Sequence, residues 1–73
     1  MDAAIRILEC RLIGSKQDGT PIYYLELSGP STASKPTAYN GGVICALSAF
    51  LEDDTGDAYR FDETAATWRK WGA

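Results

Sequence analysis

The chain of 73 residues, 45% of them hydrophobic and 23% charged, has the composition of one soluble domain spanning 1–73. A chain this short buries only about 60% of the surface its unfolded form exposes, so the core must be small. Histidine is absent and cysteine occurs twice, which excludes Ser-His-Asp and Cys-His catalysis, His-based metal sites and a four-thiolate zinc site. No apolar run is long enough to span a membrane.

The formal net charge of −3 is unevenly spread. Asp2, Glu9, Asp18 and Glu26 balance Arg6, Arg11, Lys16 and Lys35 in the first forty residues. The excess comes from Glu52, Asp53, Asp54, Asp57, Asp62 and Glu63, set against Arg60, Arg69 and Lys70. An acidic surface of this kind repels nucleic acid and favours basic partners. Met1-Asp2-Ala3-Ala4 has neither a basic segment nor a following apolar one, so a cytoplasmic protein is expected. Cys10 and Cys45 are then reduced, buried thiols.

In chain order, Ile5 to Ser28 reads as two strands joined at Asp18-Gly19. A type I′ turn there sets Gln17 against Thr20, Leu12 against Leu25 and Cys10 against Leu27. One face then holds Leu8, Cys10, Leu12, Tyr23, Leu25 and Leu27 and should be the core. On the other face Ile13 meets Tyr24 and Arg11 meets Glu26. Pro21 belongs in a non-hydrogen-bonded pair, since it has no N–H to donate. Gly29 to Pro36 is rich in small and breaker residues and reads as a mobile loop.

Val43, Leu47, Phe50 and Leu51 share one helical face, and Ala46 and Ala49 add helix propensity, so a central helix is expected over about 43–52. The competing reading makes Asn40-Gly41 a type I′ turn, with Ala38-Tyr39 running against Val43-Ile44. Asp53 to Asp57 is a turn; an EF-hand register fails because Ala58 falls where that loop needs glycine. Ala58 to Phe61 is a strand, with Tyr59 and Phe61 facing the core. Asp62 to Ala73 is either a helix capped by Asp62 or a hairpin that turns through Glu63 to Ala66 and returns through Thr67-Trp68.

The stretch Tyr59-Arg60-Phe61-Asp62-Glu63-Thr64-Ala65-Ala66-Thr67-Trp68 resembles the Tyr-Asp and Thr-Trp hairpin of kelch propeller blades. Leu47-Ser48 stands where those blades carry a glycine pair. The resemblance therefore implies shared turn chemistry and no function.

The fold expected is α+β: a small antiparallel sheet with an N-terminal hairpin (5–28), one central helix and a C-terminal strand followed by a hairpin strand or short helix. The alternative is an all-β five-stranded meander or small barrel. No catalytic, cofactor or metal residues stand out, so a non-enzymatic role is expected. The candidate partner-binding set is Glu52, Asp53, Asp54, Asp57, Tyr24 and Trp71, an acidic and partly aromatic surface for a basic protein. Such a module fits the profile of phage- or mobile-element-encoded inhibitors of nucleic-acid-handling machinery. Two alternatives accompany it: stacking of single-stranded bases by Trp68 and Trp71 beside Arg69 and Lys70, and homo-oligomerisation through an exposed strand edge. A further candidate interface is the second hairpin face, with Ile7, Ile13, Ile22 and Tyr24.

Overall fold

The computed structural model describes residues 1–72 and contains no helix among them. Seven strands form one curled sheet: β1 (Arg6–Ser15), β2 (Pro21–Gly29), β3 (Ala38–Tyr39), β4 (Gly42–Ile44), β5 (Ala49–Glu52), β6 (Ala58–Asp62) and β7 (Thr67–Lys70). The α+β expectation is therefore corrected to all-β. The sheet is mixed, which departs from a simple meander: β2 pairs antiparallel with β1 on one edge and parallel with both β4 and β5 on the other. β3 extends from β4, while β6 and β7 extend from β5.

The central helix fails for a physical reason. The 43–52 stretch has no N-cap and ends in acids that oppose a helix dipole. Laid along β2, the same residues satisfy that strand's open backbone groups, which a helix would have left unpaired. What is buried follows from this choice, since Ile44, Phe50 and Glu52 turn inward while Leu47 and Leu51, two members of the helical stripe, are exposed. The Asn40-Gly41 turn forms as the strand reading required, with Asn40 at φ 49° and Gly41 at φ 75°, and Ala38 pairs with Val43. Gly42 fits only because it has no side chain: a Cβ there would lie 2.4 Å from the Pro21 carbonyl oxygen.

β4 and β5 follow one another along the same edge of β2, interrupted by Cys45–Ser48. Cys45 still donates its N–H to the Tyr23 carbonyl at 2.7 Å. The chain then leaves the ladder through Leu47, at φ 67°. In the gap the buried Ser48 hydroxyl accepts the Leu25 N–H at 3.1 Å.

The β1–β2 register also differs from expectation. Lys16 and Thr20 close a three-residue loop in which Gly19 alone has positive φ, because the Asp18 carboxylate takes the Thr20 N–H and holds a different turn. Two β-bulges in β1, between Ile7 and Glu9 and between Leu12 and Gly14, shift the pairing further. Cys10 thus meets Leu25, Leu12 meets Tyr23, Arg11 meets Tyr24, and Glu9 meets Glu26. The expected Arg11–Glu26 pair is replaced by an Arg11–Glu9 contact of 2.6 Å within β1.

The core is Ile5, Leu25, Leu27, Ala33, Ile44, Phe50 and Phe61, flanked by Tyr23, Tyr39, Tyr59 and Trp68. Here Leu25, Leu27 and Phe61 behave as the alternation predicts. The loop after β2 is pinned across this core. Ala33 is buried, Pro36 accepts the Trp68 indole N–H at 2.7 Å, Ser34 donates its N–H to Asp2, and Lys35 lies over the rings of Phe50 and Tyr59 at 4.8 and 4.4 Å. The C-terminal segment takes the hairpin form, with Phe61 opposite Trp68 and Asp62 opposite Thr67. Asp62, read as a possible helix cap, instead caps the turn by accepting the N–H groups of Thr64 and Ala65.

Candidate functional site

The acidic residues singled out in the sequence come together around the β5–β6 connection, but most are engaged within the chain. Glu52 is buried: one carboxylate oxygen accepts the Lys35 ammonium at 2.7 Å and the other the Thr55 hydroxyl at 2.8 Å. The Lys35 contact first, and then Thr55, holds its carboxyl below the usual range. Asp54 clamps Ser31, accepting its N–H at 2.9 Å and its hydroxyl at 2.7 Å, and is lowered chiefly by that hydroxyl. Asp57 faces Lys70 at 3.5 Å. Asp53 is exposed and is the member whose carboxylate has no protein partner among the described residues. Glu52 and Asp54 thus hold the loop that carries Ser31 and Lys35 over the core, while Asp57 ties the β5–β6 turn to β7.

Tyr24 and Trp71 lie on the face of the sheet opposite the core, joined through Arg60. The Arg60 guanidinium sits 5.8 Å from the Trp71 ring centre and donates to the Leu47 carbonyl at 3.1 Å. Tyr24 donates its hydroxyl to Glu26 at 2.8 Å, which first among several causes raises its pKa, and its ring lies 5.8 Å from the Arg11 guanidinium. Leu47, Arg60, Asp62, Arg69 and Trp71 border an open cleft of about 340 Å³. Its charges largely cancel, because Arg69 is bound to Asp62 at 2.7 Å. Trp68, expected as a partner of Trp71 in stacking, is turned to the other face, where it packs edge-on against Phe61 and Phe50.

The feature that the sequence did not reveal is β1 itself. Alternation assigned Leu8, Cys10 and Leu12 to the core, yet nearly the whole strand is exposed. Ile7, Leu8, Leu12 and Ile13 are 41%, 53%, 64% and 53% accessible, and Cys10 is also exposed. All later strands add to the far edge of β2, so among the described residues none of them pairs beside β1. Among the described residues its outer backbone edge pairs with nothing. The apolar face of the hairpin was legible, whereas its lack of a cover was not.

No group of three or more Cys, Asp or Glu residues among those described is arranged to hold a metal ion. No helix among them is long and apolar enough to cross a membrane. No protein-family model matches the chain, and comparison with curated proteins and with solved structures found no similar one.

Proposed function

We propose that this chain is a non-enzymatic structural protein of the cytoplasm that assembles with copies of itself through the edge of β1. The observation that carries the reading is a strand of ten residues, open along one side, that displays four large apolar side chains to solvent. Unpaired strand edges of this length template further pairing unless they are blunted. The other outermost strands are blunted: β3 has two residues, and β7 has four and carries Arg69 and Lys70. β1 carries Arg6, Glu9, Arg11 and two bulges, but it is far longer than the other two and has no lysine or proline. Two free cysteines fit a reducing setting.

The acidic-rim reading has less support, because Glu52, Asp54 and Asp57 already have partners within the chain. Single-strand binding retains Trp71 and Arg60, but Trp68 is committed to the core.

Light scattering on the eluting protein tests the proposal. The native chain should run as a dimer or larger species, and Leu12→Lys, at an exposed position, should run as a monomer with an unchanged circular dichroism spectrum. A native chain that stays monomeric at its highest soluble concentration overturns the reading.

A further inference from the structure

We infer that two copies of this chain pair antiparallel through β1 about a two-fold axis at Cys10, setting Arg11 of each copy against Glu9 of the other. This inference rests on the homo-oligomer proposed above and specifies its register.

The direction of the backbone groups limits the choices. Leu25 gives its N–H to Ser48, and Tyr23 accepts from Cys45 through its carbonyl, so the odd-numbered residues of β2 turn their backbone groups away from β1. In an antiparallel ladder, a residue opposite such a position also turns its N–H and C=O away. Cys10 lies opposite Leu25 and Leu12 opposite Tyr23. Both therefore aim their backbone groups at the open side of β1. Glu9 and Arg11 aim theirs at β2, and the two bulges bound this regular run of Glu9 to Leu12.

Residues that face one another in a new antiparallel pair must point their backbone groups the same way, both toward the new partner or both away from it, so the candidate registers are few. Leu12 on Cys10 sets Arg11 against Arg11. Leu12 on Leu12 sets Arg11 against Ile13 and drives Cys10 into the bulged Gly14 region. Placing Leu8 on Cys10 sets Glu9 against Glu9. Cys10 on Cys10 sets Arg11 against Glu9 twice, keeps its three central pairs within the regular run, and brings Leu12 to the bulged Leu8 at each end. An in-register parallel pair would bring like charges side by side. Opposite charges facing one another across strands stabilise a pair, and like charges destabilise it. The Cys10 register is therefore the self-complementary one, and it closes after two copies instead of propagating.

In this register the Cys10 pair exchanges two backbone hydrogen bonds, with Cα atoms about 5.5 Å apart. That spacing lies within the range a disulfide spans. Oxidation then reports the register: two Cys10 thiols form one S–S bond, and oxidised glutathione takes up the two electrons and two protons to become two molecules of reduced glutathione.

The test uses the full chain with Cys45→Ser, so that Cys10 is the one thiol. Under oxidised glutathione it should become a disulfide-linked dimer on non-reducing gels, while the same chain with Leu12→Lys should not crosslink at equal concentration. Without oxidant, Glu9→Arg should weaken dimerisation about tenfold, the result of making two attractive cross-strand pairs repulsive. Arg11→Glu added to it should restore the native affinity. A dimer that neither crosslinks through Cys10 nor recovers in the doubly reversed variant overturns the register while leaving self-association intact. A monomer under every condition overturns both.

Discussion

The Ser48 hydroxyl accepts the Leu25 N–H at the one place where β2 would otherwise face a gap between β4 and β5. Both residues are fully buried, so this side chain completes a ladder that the backbone leaves open. Ser48→Ala should lower unfolding free energy by about 1–3 kcal/mol, the cost of leaving a buried donor unmade. Ser28 is the contrasting position, since its buried hydroxyl has no partner among the described residues. Ser28→Ala should be neutral or slightly stabilising. Urea denaturation of both variants checks the pair, and equal losses would contradict it.

Two glycines offer a second comparison. At Gly42 a Cβ meets the Pro21 carbonyl oxygen at 2.4 Å, whereas at Gly14 it meets nothing within 4 Å. Gly42→Ala should cost about 3 kcal/mol, the upper end for overpacking. Gly14→Ala should leave the melting temperature nearly unchanged.

Acid should loosen the loop after β2 before it melts the sheet. Glu52, Asp54 and Asp62 are held below their ordinary values of 4.5, 3.8 and 3.8, chiefly by Lys35, by Ser31 and by Arg69 respectively. A carboxyl lowered by folding contributes stability that is complete above its unfolded pKa and lost as pH falls through its folded value. Stability should therefore hold from neutral pH down to about pH 5 and decline below that. Glu52→Gln should reduce stability at neutral pH and flatten the acid decline. Thermal melts across this window give the readout.

Removing the Trp68 to Pro36 bond should free the loop selectively. Trp68→Phe keeps the ring against Phe61 and Phe50 but deletes the indole donor at 2.7 Å. A global loss of about 1 kcal/mol is expected. Amide exchange in 30–37 should rise much more than in β2.

Much of the hairpin chemistry could be read from the residues. Asn40-Gly41 specified its turn because both central positions need positive φ. Leu25 and Leu27 followed from alternation, and the hairpin alternative for the C-terminal segment, with its turn through 63–66, set Phe61 opposite Trp68. The bulges in β1 could not be read, since the extra residues, Leu8 and Ile13, each follow an apolar residue, Ile7 and Leu12, and nothing local says which of the two faces the core. The helix over 43–52 was a failure of locality. Its propensity was outweighed by the open edge of β2, a demand made by residues some twenty positions earlier. The acids looked like one surface because composition records charge and not partners: Lys35 and Ser31 come from a loop whose folding back over the core leaves no mark in the sequence.

The position of β2 between an early neighbour and two late ones also sets the order of folding. Its contacts with β1 are local, but those with β5 join Glu26 to Ala49 and Gly29 to Glu52. Forming them means closing a loop that contains 30–48, and such non-local parallel pairing is slow compared with hairpin closure. A chain emerging from the ribosome would therefore display the β1–β2 ribbon, with both of its edges open, until residues beyond Glu52 had been made. During that interval the two edges differ in kind. One is filled by the later strands of the same polypeptide, and the other stays unpaired among the described residues.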